Sequence, residues 1–204
     1  MTILIAVVSV ALLVLADQCS KIIATAALAD GTTVALLGDF LHITYTRNTG
    51  AAWGIFSNLR IFLVLVPLLI LLICLYFLLA RKVRHITGVF ALILVMAGGL
   101  GNLMDRIFQP DGAVVDYIYF NFKPLFDFPV FNFADICVTF GGIFLAVYVF
   151  FFIEKDFPGF IKKKKETVIT SGEDSGTGTS PALEISEPKP DQGGDVIEQA
   201  HSSD

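Results

Sequence analysis

The sequence predicts a membrane protein that is all-α apart from a small β element, with four transmembrane helices and a hairpin outside the bilayer. Three observations predict it. First, 55% of the 204 residues are hydrophobic and the mean hydropathy is +0.74. Only 16% are charged, against about 25% in an ordinary soluble domain, which excludes a soluble enzyme with a polar surface. Second, the chain holds four long apolar runs, each near the roughly 20 residues that carry a helix across a hydrocarbon core of about 30 Å. Third, the stretch after the first run alternates apolar and polar residues in the two-residue period of a strand.

The first run extends from Thr2 to Ala16 and, past a polar break, to about Ala27. It has no Lys or Arg before it, and Ala16-Asp17-Gln18-Cys19 is not a small-x-small cleavage site, so a retained helix is expected rather than a signal peptide. The other runs cover Ile61–Ala80, about Thr87–Met104 and about Ile136–Ile153. Lipid offers no hydrogen bonds to a bare backbone, so each run is expected to be helical. Between runs one and two, Leu41, Ile43 and Tyr45 alternate with His42, Thr44 and Thr46 within the β-prone Phe40–Arg47, and Gly38-Asp39 separates this segment from the β-prone Thr32–Leu37. This reads as a hairpin at the membrane surface. Between runs three and four, aromatics such as Tyr117, Phe120, Phe128 and Phe131 crowd between Asp116 and Asp135. Such rings either anchor a loop at headgroup level or form an apolar wall beside a site fed from the bilayer.

Charge sets the expected orientation. Arg81, Lys82 and Arg84 lie between runs two and three, and Lys155 and Lys162–Lys165 follow run four. Basic residues favour the cytoplasmic side, so both termini are expected there and the two long loops outside. Residues 1–165 carry 13 Lys+Arg and 10 Asp+Glu, whereas residues 166–204 carry one Lys and nine acids. The domain reading is a four-span membrane part, 1–160, followed by a basic juxtamembrane stretch and a disordered acidic cytoplasmic tail, 161–204. No basic patch suggests a nucleic-acid partner. Cys19, Cys74 and Cys137 form no disulfide or zinc pattern and are expected to be small buried apolar residues.

The costly residues cluster at the outer ends of the runs, where intramembrane polar groups are functional suspects. Asp17, Gln18 and Lys21 follow run one; Asn102, Asp105 and Arg106 end run three; Asn132 and Asp135 open run four; Asp116 lies between the last two groups. Asp17 and Lys21 have the i, i+4 spacing of an ordinary helix ion pair. Asp105 and Arg106, after Gly98-Gly99 and Gly101, suit a helix-packing knot. Asp116 and Asp135 sit among apolar neighbours, where ionisation is disfavoured. Two acids sharing one site titrate apart, leaving one protonated and one ionised, as acid–base hydrolysis of an amide requires. Taken alone, Asp135 also suits a helix cap. A proton-coupled transporter could use the same acids, but the middles of runs two and four carry almost no polar residues. A non-catalytic scaffold leaves the two acids unexplained.

Five segments carry a resemblance: Asp17-Gln18-Cys19-Ser20-Lys21; Asn48-Thr49-Gly50-Ala51-Ala52-Trp53-Gly54; Gly98 through Arg106; Val114-Val115-Asp116; and Phe131-Asn132-Phe133-Ala134-Asp135. In this order, over roughly residues 3–155, the chain resembles the lipoprotein signal peptidase (signal peptidase II) family, bacterial membrane aspartyl proteases of peptidase family A8. The resemblance implies cleavage of diacylglyceryl-modified prolipoproteins immediately before the lipidated cysteine, at the extracytoplasmic side of the bacterial inner membrane. It implies Asp116 and Asp135 as the catalytic dyad, with Asn48, Asn102, Arg106 and Asn132 around substrate and dyad. Asp17, Lys21, Asp105 and Gly50 fall on supporting positions. It implies an extracytoplasmic β-cradle, here about residues 30–56, and a periplasmic loop or helix. It implies no cofactor or metal, contact with membrane lipids, inhibition by globomycin, and action as a monomer.

Overall fold

In the computed structural model, which describes residues 2–50, 60–123, 126 and 128–159, four helices are long and apolar enough to span a membrane. They are α1 (Thr2–Leu28), α2 (Arg60–Leu79), α3 (Ile86–Phe108) and α4 (Phe133–Val147). The last continues through a π-helical turn, Tyr148–Phe152, into the short α5, Ile153–Asp156. Helix α3 is central and packs on the other three, whereas α2 packs chiefly on α3. Leu12, Leu15, Ile61, Leu69 and Phe150 are more than half exposed on the outer faces, an apolar area that lipid covers and water would not. Cys74 and Cys137 are buried as expected, but Cys19 is exposed on α1. In a membrane protein an apolar side chain is as well accommodated facing lipid as facing the core, so apolar character alone did not fix its direction.

Close helix contact rests on small residues. A Cβ on Gly98 would meet the main chain of Ala134 and Val138, and one on Gly141 would come within 2.8 Å of the Val95 backbone. These two glycines seat α3 against α4 from either side.

The extramembrane segments build one antiparallel sheet in the order β1-β2-β3, from Val34–Leu37, Leu41–Asn48 and Val114–Phe120. The hairpin is thus present, and its strands begin and end close to the expected residues. The third strand is a correction to the reading of residues 114–120 as part of an aromatic loop: Val-Val-Asp-Tyr-Ile-Tyr-Phe is rich in β-formers, and β2 supplies an edge for it to pair with. Pairing joins Leu41 with Phe120 and Asn48 with Val114, and the register slips by one residue between Ile43 and Thr46. The free side of β3 is closed by Phe131, which exchanges backbone hydrogen bonds with Ile118 (2.8 and 3.0 Å). No extramembrane helix occurs among the described residues. Residues 51–56 of the expected cradle and the tail at 161–204 lie outside the described residues.

Helix α4 starts at Phe133, three residues before the expected Ile136, because Asn132 caps it. The Asn132 side chain accepts from the Asp135 N–H while the Asp135 side chain accepts from the Asn132 N–H, a reciprocal capping box. At the opposite end of the bundle, Asp156 Oδ2 takes hydrogen bonds from the N–H groups of Arg84 and His85 (2.9 and 3.0 Å) and from the Tyr148 hydroxyl (2.8 Å). It thereby supplies the cap that His85, at the start of α3, does not. Arg81 ends α2 in the left-handed region, with φ of 51°.

Two outcomes are expected for thermal unfolding in detergent. Gly98→Val should lower stability by about 1–3 kcal/mol through overpacking. Arg81→Gly should raise it by roughly 1 kcal/mol by relieving the left-handed conformation, and an unchanged midpoint would show that Arg81 is not strained.

Candidate active site

The sheet lies over the ends of the helices and presents two faces. Val114, Asp116, Ile118 and Phe120 point into a cleft of about 1000 Å³. The alternate residues Val115 and Tyr117 lie on the other face, Val115 beside Gln18, Lys21 and Asp105 and Tyr117 against Ser20, as the two-residue period of a strand requires. The cleft is floored by Val95 and Gly99 of α3 and walled by Leu63 and Pro67 of α2 and by Val138 and Phe140 of α4. Phe120, Phe128 and Phe131 close its sheet end, their rings 5.6–5.7 Å apart. Three rings of the aromatic segment, Phe120, Phe128 and Phe131, therefore form an apolar wall of this cleft.

Asp116 and Asp135 both line this cleft, the first from β3 and the second from the first turn of α4. Three asparagines aim them. Asn132 Nδ2 donates to Asp116 Oδ1 (2.6 Å) and Asn48 Nδ2 to Asp116 Oδ2 (2.9 Å). Asn102 Nδ2 donates to Asp135 Oδ1 (2.7 Å), and the Asn132 N–H to Asp135 Oδ2 (3.1 Å). Asn132 also donates to Asn102 Oδ1 (3.1 Å), so one fully buried amide joins both halves of the arrangement. The capping function foreseen for Asp135 and its place in the cleft are thus compatible: one carboxylate does both.

Asp116 is 2% exposed, and burial pushes its carboxyl up to about 6. The hydrogen bonds from Asn48 and Asn132 and the charge of Lys21 oppose that rise, and the neighbouring Asp135 charge adds to it.

Behind the cleft lies a second set of charges. Lys21 Nζ contacts Asp17 Oδ2 (2.9 Å), Asp105 Oδ2 (2.9 Å) and Asn102 Oδ1 (3.0 Å). Its three N–H groups thus have three acceptors, contributed by α1 and α3. Asp17 also accepts from the Ala134 N–H (2.9 Å), which brings in α4, and Gln18 bridges Asp17, Asp105 and the Gly101 carbonyl. The expected i, i+4 pair exists, but buried it is more than a surface pair worth a few tenths of a kcal/mol, since losing one partner strands a charge. Asp105 further accepts from the Val115 N–H (3.2 Å) and so fixes the start of β3.

Arg106 is placed differently from the expected helix-packing knot. Its guanidinium donates to the carbonyls of Asn48 (3.1 Å), Gly112 (2.9 Å) and Gly50. It binds the ends of β2 and the α3–β3 turn to α3, because main-chain carbonyls leaving the sheet are the nearest acceptors. Gly50 additionally donates its N–H to Asn48 Oδ1 (3.0 Å), which helps orient the amide that holds Asp116. All ten residues singled out from the sequence thus meet in one region, divided into the asparagines touching the carboxylates and the charged groups behind them. Trp53 lies outside the described residues. Ser20 and Tyr117 were missed; their hydroxyls bond one another (2.7 Å), and the only sequence signal was a hydroxyl at the residue before Lys21. Among the described residues no group of three or more His, Cys, Asp or Glu could hold a metal ion.

Known proteins are similar to this chain over most of its described length. The family model for Signal peptidase (SPase) II matches residues 9–151. The chain is similar to proteins named lipoprotein signal peptidase from Clostridioides difficile (strain 630), with 42% identity over 71% of this chain and 93% of that one, and from Clostridium tetani (strain Massachusetts / E88), with 32% identity over 70% and 90%. Among solved structures it resembles a bacterial membrane enzyme determined by the in meso method at 2.3 Å resolution, with a TM-score of 0.63, 33% identity, and coverage of 76% of this chain and 90% of that chain. With matches that run from α1 into the π-helical turn after α4, the chain belongs to the signal peptidase II family of membrane peptidases.

Proposed function

We propose that the protein is an aspartic endopeptidase that removes the signal peptide from diacylglyceryl-modified prolipoproteins by cleaving before the lipidated cysteine. The observation that carries this reading is the placement of Asp116 and Asp135 in one apolar cleft, each with both oxygens held by amide donors. The substrate's acyl chains keep it in the bilayer, so the sheet end of the bundle faces the extracytoplasmic side of the bacterial inner membrane and both termini are cytoplasmic. The protein acts as a monomer, in contact with membrane lipids.

Catalysis then divides between the two acids. Asp116, whose carboxyl is held up to about 6 by burial, keeps the proton. Asp135 is the base: it takes a proton from a water, and the resulting hydroxide attacks the scissile carbonyl carbon. Asp116 gives its proton to the carbonyl oxygen, yielding a neutral tetrahedral diol. On collapse the C–N bond breaks, Asp135 returns its proton to the leaving nitrogen of the cysteine, and Asp116 recovers its own from the hydroxyl that becomes the carbonyl. Asn48, Asn102 and Asn132 keep the carboxylates aimed throughout, which is preorganisation at no cost during the reaction. Arg106 and Gly50 hold the rim of the cleft, and Asp17, Lys21 and Asp105 brace it. A cyclic peptide inhibitor, globomycin, is expected to compete for the same cleft.

The test is cleavage of a purified diacylglyceryl prolipopeptide. Asp116→Asn or Asp135→Asn should lower kcat by about 10²–10⁴-fold with thermal unfolding nearly unchanged; normal processing by either variant would remove the assignment. The pH dependence has a defined sign. The protonated fraction of Asp116 falls as pH rises through about 6, so kcat/KM should decline above that pH, about tenfold per unit. A rate that stays flat from pH 5 to 8 would show that Asp116 does not supply the proton.

A further inference from the structure

The strand that carries Asp116 is interrupted beside it. Ile43 pairs with Ile118, and the next pair is Thr46 with Asp116. Three steps along β2 therefore meet two along β3, and Tyr117 lies opposite the surplus residue. Such a bulge locally disrupts the ladder, so β3 must be held here by something other than β2. Tyr117 supplies the replacement. Its N–H donates to the Phe131 carbonyl (3.0 Å). Its hydroxyl donates to Ser20 Oγ (2.7 Å), and the Ser20 hydroxyl donates to the Asp17 carbonyl of α1 (2.7 Å). Tyr117 is 8% exposed, and packing alone would be served as well by Phe; a buried hydroxyl is kept where partners satisfy it.

We propose that Tyr117 is a positioning residue for the reaction: its hydroxyl is a strut between α1 and the bulged strand that, together with its N–H on the Phe131 carbonyl ahead of α4, fixes how Asp116 and Asp135 face each other. The inference rests on the dyad reading given above. Tyr117 points away from the cleft, so it acts through the backbone and not on the substrate.

Tyr117→Phe keeps the ring and removes the strut. It should lower kcat at least tenfold with KM little changed. The decline of rate with pH should begin at a lower pH, because a slack strand admits water to Asp116 and brings its carboxyl back toward the ordinary range. Ser20→Ala cuts the same strut from the other end, also if Tyr117→Phe folds poorly, and should reproduce both effects. The double variant should be no worse than either single one, as expected for partners in one interaction, and Ser20→Thr, which keeps a hydroxyl, should recover most of the rate. Wild-type kcat and pH profile in Tyr117→Phe and Ser20→Ala would overturn the proposal. So would a lowered unfolding temperature with kcat unaffected, which marks ordinary packing. Absence of cleavage by the unaltered enzyme would instead overturn the dyad reading and this inference with it.

Discussion

The arrangement depends on one ammonium group. Lys21 is 3% exposed, about two turns before the end of the membrane helix α1, where an uncompensated charge costs several kcal/mol. It is compensated because Asp17 lies one turn earlier on the same helix and Asp105 and Asn102 come from α3. Meeting those needs fixes the depth of α3 against α1, and Asp17 extends the constraint to α4 through the Ala134 N–H. Gly101 permits the approach, since a Cβ there would lie 2.5 Å from Asp17 Oδ2. The three helix ends are thus brought level by charge neutralisation, and the carboxylates ride on that level.

From the same ammonium the order passes into the cleft. Asn102 takes a hydrogen bond from Lys21 and gives one to Asp135. It also takes one from Asn132, which gives another to Asp116. An amide suits this place because it accepts and donates at once while carrying no charge to neutralise. Carboxylates there would add repulsion. The sheet contributes a complementary restraint: Asp105 ties down the beginning of β3 through Val115, and Arg106 ties down the chain leaving β2.

Much of this was legible in the sequence where the signal is local. Apolar runs gave the helices because lipid demands internally satisfied backbones. Period-two alternation gave the hairpin, and acids among apolar neighbours picked out Asp116 and Asp135. What could not be read is long-range. Asp17 and Lys21 announce a pair by spacing, but nothing local says that Asp105, 84 positions on, completes it. Residues 114–120 had strand-forming side chains, yet aromatics before a membrane helix also suit an interface, and only the free edge of β2 decides between the two. Arg106 follows a run of packing glycines, which suggested a contact between helices; its partners are carbonyls of a loop and a strand end. Tyr117 was read as one ring among many because its hydroxyl matters only once Ser20 is brought beside it.

The walls of the cleft have a further consequence. Helices α2 and α4 stand on either side of α3, and most of the side chains that line the gap between them, Leu63, Pro67, Val138 and Phe140 among them, are no more polar than an acyl chain. On the function proposed above, the doorway to the two acids is therefore sideways, in the plane of the membrane. A lipid-tethered molecule can arrive by lateral diffusion without surrendering its tails to water, and a freely dissolved peptide has no such greasy handle to place in the gap. For the substrates proposed above, selection then begins with the solvent a molecule travels in, before any side chain of its sequence is inspected.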